Sequence, residues 1–253
     1  MPIASILIPV YNRENLIGRT LKSALAQTVT DIEIVVVDNQ STDRTFDVVA
    51  AMAEHDKRIR LFRNDTNLGP VRNWIQCAAH ASAAYSKILF SDDLIAPTFL
   101  ERTLPHLISP QCGLVYTPAM VGHADWTGAV HYRAFLNDTK FARDHFIRMA
   151  TNMEHFTPVS PGAALFRTAD LRKHILTELP GTEGYDFAAT GAGVDWLIYT
   201  LTALNYEHVA YVDAPLTYFH AHAGSISINN ENNLVPMGYA MAKQWLRLTL
   251  KGL

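Results

Sequence analysis

Two nearly uninterrupted apolar runs close to the amino terminus constrain the fold of this chain more than any other feature. Residues 5–10 read SILIPV and residues 32–38 read IEIVVVD. Short runs that largely lack polar alternation are typical of strands buried on both faces, which occur mainly in parallel sheets. The sequence between them places Leu16, Leu21 and Leu25 on one helical stripe. This segment therefore predicts a strand–helix–strand unit.

The same alternation continues along the first half of the chain. Helices are predicted at residues 41–55 and 69–83, and strands at residues 59–64 and 86–93. Ser41 or Thr42 is placed to cap the first turn of the earlier helix. Successive strand–helix–strand units predict an α/β fold with an open, twisted, mostly parallel sheet flanked by helices. Ligands of such sheets bind beyond the carboxyl ends of the strands.

The second half of the chain is less regular and carries no visible linker or repeat. Strands are predicted at residues 113–122, 128–135 and 208–222, and helices at residues 139–152 and 195–205. We therefore expect one domain over residues 1–253. Its parts would be a first half (1–110), a second half (111–232) and a C-terminal amphipathic helix (233–253).

Composition narrows the choice of partner and compartment. The chain has 253 residues, of which 18% are charged, and its formal net charge is −3. A nucleic-acid-binding protein would normally carry a basic face, so nucleic acid is not expected as a partner. The first apolar run is too short to span a membrane and lacks the basic start of a signal peptide. A cytoplasmic location is therefore expected.

Acidic side chains follow two of the predicted strands. Asp38 ends one strand, where its carboxylate can bind a base or ribose or can cap the next helix. Asp92 and Asp93 follow another strand, and two adjacent like charges repel each other unless a cation neutralises them. Carboxylates suit Mg²⁺ or Mn²⁺, which take one or two protein ligands together with phosphate oxygens. The alternative is a solvated turn.

Four motifs in a fixed order make this pattern specific. They read ILIPVYNRENLIGRTLKSALAQT, DIEIVVVDNQSTDRT, NLGPVRNW and ILFSDDLIAP. Together they resemble the family 2 glycosyltransferases. The resemblance implies a GT-A fold with a smaller acceptor-binding lobe. It makes residues 1–110 the nucleotide-sugar-binding half and residues 111–232 the acceptor-binding half. It also implies an inverting transfer from a nucleotide-diphosphate sugar in bacterial surface polysaccharide or glycolipid assembly. The chain departs from the family pattern at Asn39, where a second Asp is commoner, and at Ser91, where many members carry Asp.

The resemblance also assigns residues on the donor side. Asp38 matches the residue that reads the base or ribose, and Arg72 matches an arginine near the nucleotide. Asp93 matches the direct metal ligand, and His222 matches a histidine that approaches the metal from a position before the family's glycine–serine element. The implied nucleotide-sugar-binding set is Pro9, Tyr11, Asn12, Glu14, Asp38, Asn67, Arg72 and Asp92.

On the acceptor side, SPGAALF resembles the loop before the family's acceptor pocket. Gly162 and Ala163 would let a substrate approach the backbone, although an ordinary tight turn explains these residues equally well. Asp195 matches the catalytic base, which takes the proton of the acceptor hydroxyl. An aspartate at the start of an apolar helix is also a favoured helix cap. Glu183 and Asp186 are rival candidates for the base.

The C-terminal stretch carries Lys243, Arg247 and Lys251 at four-residue spacing among apolar residues. A basic amphipathic helix of this kind can lie on an anionic membrane surface, where it would serve a lipid-linked acceptor. The alternative is that it packs on its own domain and leaves its cations in solvent. The resemblance implies a glycan or lipid-linked acceptor.

Other classes of function make different demands on the sequence. A non-catalytic nucleotide-sugar-binding module would need the first half alone, but Asp93 and Asp195 are both present. A nucleotidyltransferase or an NAD-dependent dehydrogenase expects a glycine-rich phosphate loop after the first strand. The corresponding segment, PVYNREN, contains no glycine.

Overall fold

The computed structural model describes residues 1–152, 157–182, 184–222 and 234–251. Its strands are β1 (Ala4–Val10), β2 (Ile32–Asp38), β3 (Ile59–Arg63), β4 (Tyr85–Ile88), β5 (Leu94–Ile95), β6 (Cys112–Tyr116), β7 (Ala119–Ala124), β8 (Thr127–His131), β9 (Thr139–Ala142), β10 (Ala164–Arg167), β11 (His208–Tyr211) and β12 (Thr217–His220). Its helices are α1 (Ile17–Leu25), α2 (Thr45–His55), α3 (Pro70–His80), α4 (Phe99–Leu107), α5 (Arg143–Thr151), α6 (Thr168–His174), α7 (Phe187–Thr190), α8 (Val194–Leu204) and α9 (Leu234–Lys251). A 3₁₀ turn spans Pro161–Ala163.

A large sheet forms the centre of the described structure, with strand order β3-β2-β1-β4-β10-β6-β11-β9. Strand β1 pairs in parallel with β2 and β4, β2 pairs in parallel with β3, and β6 pairs in parallel with β11. Strand β10 runs antiparallel to β4 and β6, and β9 runs antiparallel to β11. All strands of this sheet except β9 and β10 therefore share one direction. The predicted open, mostly parallel α/β sheet is confirmed.

Strands β1 and β2 are apolar at most positions because helices cover both faces of the sheet. Leu7 contributes to one core together with residues of α3, α7 and α8, whereas Ile6 and Ile8 contribute to the opposite core with α1 and α4. Successive side chains of a strand point to opposite faces, so a strand in a middle layer needs apolar residues at almost every position. This requirement explains the two runs that dominate the sequence.

Two long strands predicted in the second half are wrong. Residues 113–122 divide at Pro118 into β6, in the large sheet, and β7, in a smaller sheet of order β5-β12-β7-β8. Residues 208–222 divide around Pro215 into β11 and β12, again in different sheets. Proline has no N–H to donate to a strand ladder, so each run ends near its proline and the chain crosses between the sheets.

The helix predicted over residues 139–152 also needs correction, since its first four residues form strand β9. This strand pairs with β11 along the edge of the large sheet, and α5 begins only at Arg143. The sequence of β9, TKFA, is too short for its own periodicity to distinguish a strand from a helical turn. Pairing with a distant strand decides its conformation.

The predicted cap of α2 is likewise wrong. The helix begins at Thr45, whose N–H donates to Asp43 Oδ1 at 2.9 Å. Ser41 Oγ instead accepts the N–H of Asn12 at 3.0 Å, and the N–H of Thr42 donates to Asn12 Oδ1 at 2.8 Å. These two residues therefore join the loop after β1 to the loop after β2.

The two halves of the chain share the large sheet, because β10 from the second half lies between β4 and β6. Helix α9 contacts α7 and α8 and buries Gly238, Ala242 and Leu246. The C-terminal helix therefore packs on its own domain. Across the ranges that the structure describes, no helix is both long enough and apolar enough to cross a membrane.

Candidate active site

A cleft of about 830 Å³ opens at the carboxyl ends of β1 and β4. Its lining comes from the loops after β1, β2, β3 and β4, from the start of α3, and from residues of β8, α8 and α9. The predicted site residues that line the cleft are Pro9, Tyr11, Asn67, Asp92, Asp93 and Asp195. The sheet topology thus brings together acidic side chains that lie far apart in the sequence.

The loop after β1 places one aromatic side chain in the cleft, whereas its polar residues bind the segment that follows β2. Tyr11 lines the cleft and is 40% exposed, so its ring is available to a ligand. Asn12 adopts a left-handed backbone conformation with φ of 49° and binds Ser41 and Thr42 of the next loop. Glu14 Oε2 accepts the N–H of Arg44 at 3.0 Å. Asn12 and Glu14 therefore shape this wall from behind.

Asp38 is fully buried at the end of β2, behind the cleft wall. Its Oδ2 lies 3.1 Å from Arg63 Nε and accepts the N–H of Ser41 at 3.1 Å. The neighbouring Asn39 lines the cleft, and its amide donates to Asn67 Oδ1 at 2.8 Å and to the carbonyl of Gly69 at 3.2 Å. Asn39 thus fixes the loop that carries Asn67, while Asp38 secures the base of that wall.

The acidic pair after β4 is divided between two environments. Asp92 Oδ2 lies 2.8 Å from His222 Nε2 and 3.6 Å from Arg13 Nε. Asp93 is 7% exposed, and its Oδ1 accepts the N–H of His220 at 2.9 Å. Strand β12, which carries His220, therefore closes over the pair from the smaller sheet.

Burial raises the pKa of Asp93 well above its ordinary value of 3.8, and the negative charge of Asp92 raises it further. The positive charge of Lys87 lowers the pKa of Asp93 and so opposes these effects. Lys87 is itself fully buried in β4, where burial lowers its pKa to about 7, and its ammonium donates to the carbonyl of Gly162. A cation bound at Asp93 would relieve the repulsion that raises the pKa of this carboxyl.

The side chains at this site suit a divalent cation that would take most of its ligand atoms from the phosphates of a bound substrate. Among the residues that the structure describes, no three His, Cys, Asp or Glu side chains are grouped so that they could hold a metal ion alone. Mg²⁺ and Mn²⁺ commonly use one or two protein carboxylates together with phosphate oxygens. A buried carboxylate beside a second one fits that chemistry. The glycine–serine element that located His222 in the sequence (residues 224–227) lies outside the described residues.

Gly162 and Ala163 are buried in the 3₁₀ turn before β10, while the preceding Ser160 and Pro161 line the cleft. A Cβ at Gly162 would lie 3.0 Å from the ring of Phe219, so the small residue permits close packing against β12. Its carbonyl accepts a hydrogen bond from the ammonium of Lys87. This turn therefore contacts both Lys87 and strand β12.

Asp195 lies in the first turn of α8 and faces the cleft. Its Oδ1 accepts the N–H groups of Gly193 at 2.9 Å and Trp196 at 2.7 Å, and its Oδ2 accepts the hydroxyl of Tyr239 at 2.5 Å. Burial raises the pKa of Asp195 to about 7, although these hydrogen bonds favour the charged form and oppose the shift. A carboxylate whose pKa lies near neutrality is suited to accept a proton.

The rival acids differ from Asp195 in their surroundings. Asp186 caps α7 by accepting the N–H of Ala188 at 2.9 Å, and its exposed carboxylate lies 3.9 Å from Arg72. Both members of this pair stand on the surface, outside the lining of the cleft. Glu183 lies outside the described residues.

The family model "Glycosyl transferase family 2" matches residues 5–175. The chain belongs to this family. An uncharacterized glycosyltransferase of Haemophilus influenzae is 34% identical over 128 residues, covering 51% of this chain and 50% of the relative. The succinoglycan biosynthesis protein ExoO of Rhizobium meliloti is 36% identical over 104 residues, covering 41% and 29%. The chain spans half or less of the length of these two curated relatives.

The fold of this family 2 member also matches a solved structure. The crystal structure of residues 1–349 of S. aureus TarS, in complex with UDP-GlcNAc, superposes with a TM-score of 0.70 at 21% identity. The match covers 90% of this chain and 61% of that chain. It shows that the α/β fold is a GT-A fold, as predicted.

Sequence reasoning did not find several residues of the cleft. Arg13 and Tyr239 line it, as does Tyr132, which has an unusual φ of 63°. Burial, together with the negative charges of Asp195 and Asp93, raises the pKa of Tyr132 to about 12. The sequence does give a signal for the buried Lys87, since a lysine within the apolar run SKILF is uncommon in a two-sided strand.

Proposed function

We propose that this family 2 member is an inverting, divalent-metal-dependent glycosyltransferase that moves a sugar from a nucleotide-diphosphate donor to an acceptor hydroxyl. One observation carries the proposal: a single cleft is lined both by the acidic pair Asp92–Asp93 and by the near-neutral carboxyl of Asp195. Inverting transfer needs these two functions on opposite sides of the sugar, because the acceptor attacks the face away from the leaving group.

The part of the cleft lined by Tyr11, Pro9 and Asn67 suits a nucleotide. The ring of Tyr11 is half exposed in the cleft and can stack on a flat base. Pro9 and Asn67 complete this side, with Asn67 held by Asn39. Arg13 lies beside Asp92 and can bind a phosphate. In this proposal Asp38, Asn12, Glu14 and Arg72 act behind or beside this part of the cleft.

The metal site consists of Asp93, with His222 and Asp92 next to it. Mg²⁺ or Mn²⁺ bound there would neutralise negative charge on the departing nucleoside diphosphate. Asp93 is the better candidate for the direct ligand, since Asp92 is already engaged by His222 and Arg13. The 3₁₀ turn with Gly162 and Ala163 would support the acceptor next to Ser160 and Pro161.

Asp195 is the proposed base. Its Oδ2 takes the proton of the acceptor hydroxyl as that oxygen forms a bond to the anomeric carbon. The bond from this carbon to the phosphate oxygen breaks, and its electron pair leaves with the nucleoside diphosphate. Because attack and departure occur on opposite faces, the anomeric configuration is inverted. A pKa near 7 lets Asp195 accept the proton during transfer and release it to water afterwards.

The proposed setting is bacterial surface polysaccharide or glycolipid assembly in the cytoplasm, at the inner face of the membrane. The likeness to ExoO, a succinoglycan biosynthesis protein, supports a role in polysaccharide assembly. The outer side of α9 leaves Met237, Arg247 and Leu248 exposed, which suits peripheral contact with an anionic surface.

A thermal-shift screen tests the donor and the metal together. UDP, GDP, dTDP and ADP would each be added with and without Mn²⁺. At one hundred times its dissociation constant a ligand adds about 2.7 kcal/mol of stability, which corresponds to a rise in Tm of about 5–10 °C for a chain of this size. We expect one nucleotide to stabilise the protein, and Mn²⁺ to enlarge its effect. Stabilisation by no nucleotide would contradict the proposal.

Paired substitutions test the base. Asp195→Asn should abolish sugar transfer from the donor found in the screen and leave donor binding nearly unchanged. Asp186→Asn is the matched control, because it makes the same chemical change at an exposed helix cap and should keep transfer. Full transfer by the Asp195 variant would remove it as the base. Saturable donor binding without turnover in the wild type would instead identify a non-catalytic nucleotide-sugar-binding module.

A further inference from the structure

Helix α9 docks against the start of α8 through two glycines. A Cβ at Gly193 would lie 2.6 Å from the carbonyl oxygen of Gly238, and a Cβ at Gly238 would lie 2.5 Å from the carbonyl oxygen of Ala192. Distances this short leave no room for a side chain at either position. The backbones of the two segments therefore cross in direct contact, next to Asp195.

A second contact fixes the start of α9. The hydroxyl of Tyr185 donates to the carbonyl of Leu234 at 2.7 Å, and it would lie 2.4 Å from a Cβ at Gly238. Further along the helix, Ala242 and Leu246 are fully buried in the core. The position of α9 relative to α8 is thus defined at several points along the helix.

This docking places the residue after Gly238 on the carboxylate of Asp195. The hydroxyl of Tyr239 donates to Asp195 Oδ2 at 2.5 Å, and Tyr239 itself lines the cleft. The other oxygen, Oδ1, already accepts two backbone N–H groups, from Gly193 and Trp196. Oδ2 is therefore the oxygen left for a substrate, and a single lone pair on it remains beside the Tyr239 hydrogen bond.

We infer that Tyr239 is a positioning residue for the proposed base, and that α9, which carries it, forms part of the acceptor side of the cleft. The inference rests on the proposed function, since it assumes that Asp195 receives the acceptor proton. The Tyr239 hydrogen bond occupies one lone pair of Oδ2 and so selects the direction from which an acceptor hydroxyl approaches. It also stabilises the carboxylate form of Asp195.

The groups that face Asp195 come from three elements. Tyr239 approaches from α9, Tyr132 from the segment after β8, and Tyr199 from within α8. All three are neutral hydroxyls whose pKa values are raised by burial, with the charge of Asp195 adding to the rise. Of the three, Tyr239 is the one that donates a hydrogen bond to the carboxylate. Removal of its hydroxyl should therefore raise the pKa of Asp195.

The direct test is a ¹³C NMR titration of carboxyl groups in protein labelled with [¹³C]aspartate. The Asp195 resonance is identified by its loss in Asp195→Asn. A hydrogen bond to a charged group contributes the equivalent of about one pKa unit or more. We expect the Asp195 carboxyl of the wild type to titrate near pH 7, and Tyr239→Phe to raise its midpoint by about one unit. The acid limb of the pH–rate profile of transfer should move upward by the same amount.

Tyr185→Phe is the matched control. It removes a tyrosine hydroxyl that anchors the same helix but binds the carbonyl of Leu234. It should lower the Tm by a comparable amount and leave the Asp195 midpoint unchanged. An unchanged midpoint in Tyr239→Phe, or an equal shift in Tyr185→Phe, would overturn the inference.

The titration needs no substrate, so the two proposals can fail separately. If Asp195→Asn abolishes transfer and Tyr239→Phe leaves the Asp195 midpoint and the acid limb unchanged, the inference fails and the proposed function stands. If Asp195→Asn keeps full transfer, the proposed function fails, and with it the assumption on which the role of Tyr239 rests.

Discussion

Replacement of Asp195 by asparagine should stabilise the protein while it abolishes transfer, and the stabilisation should grow with pH. Burial raises the pKa of this carboxyl from 3.8 to about 7. Between these two pH values the folded state holds a proton that the unfolded state has released. The free energy of unfolding of the wild type therefore falls as the pH rises through this window. The asparagine side chain does not titrate, so the variant escapes this loss.

The magnitude follows from the shift. About three pKa units at 1.36 kcal/mol each correspond to roughly 4 kcal/mol, of which about 3 kcal/mol falls between pH 5 and pH 8. Asp195 lines the cleft, where water screens part of the cost, so we expect about 2 kcal/mol. A chain of this size changes its Tm by about 2–4 °C per kcal/mol. The Tm advantage of Asp195→Asn should thus be about 4–8 °C larger at pH 8 than at pH 5.

Thermal unfolding of wild type and variant, monitored by circular dichroism in matched buffers at the two pH values, measures this difference. Asp186→Asn serves as the control, because its carboxylate is exposed on the surface and caps α7. Its Tm difference from the wild type should hardly change with pH. A Tm advantage of the Asp195 variant that stays constant or shrinks from pH 5 to pH 8 would refute the electrostatic reasoning.

Two further predictions concern Asn39 and the C-terminal helix. Asn39→Asp should lower the free energy of unfolding, measured in urea, by about 2–3 kcal/mol, because a carboxylate would face the two oxygens to which the amide now donates hydrogen bonds. Asn137→Asp, at an exposed position, is the control. An equal effect of both substitutions would contradict the role given to the Asn39 amide. Arg247→Glu should reduce the fraction of protein that sediments with phosphatidylglycerol vesicles, whereas Arg148→Glu on α5 should not. An equal reduction in both variants, or no sedimentation of the wild type with vesicles, would exclude membrane contact through α9.

The first half of the fold was predictable because its signals are local. Strands β1 and β2 lie in the middle layer, so nearly every residue in them is apolar and their bounds can be read from sequence. The second half depends on pairing between distant segments. Strand β9 is four residues long and takes its conformation from β11, and two further runs change sheets near Pro118 and Pro215.

The candidate site was likewise predictable only where its signals are local. Asp92 and Asp93 were found because acidic residues at the end of a strand stand out, and the topology then places them in the cleft. Tyr239 gives no such signal. It reaches Asp195 across 44 residues of sequence, through a helix whose docking depends on two glycines. Periodicity shows that α9 has a face to bury, but it does not show which surface receives that face.

Asn39 shows how a departure from the family pattern can be read in physical terms. Its amide group donates to Asn67 and Gly69, and its Oδ1 accepts from Asn64 Nδ2 at 2.9 Å and from the N–H of Leu68 at 2.9 Å. A carboxylate could accept the second pair of hydrogen bonds but could not donate the first pair. The loop that carries Asn67 into the cleft is therefore matched to an amide at this position. We conclude that the asparagine shapes the part of the cleft that carries Asn67, so its presence is compatible with the proposed metal site at Asp93.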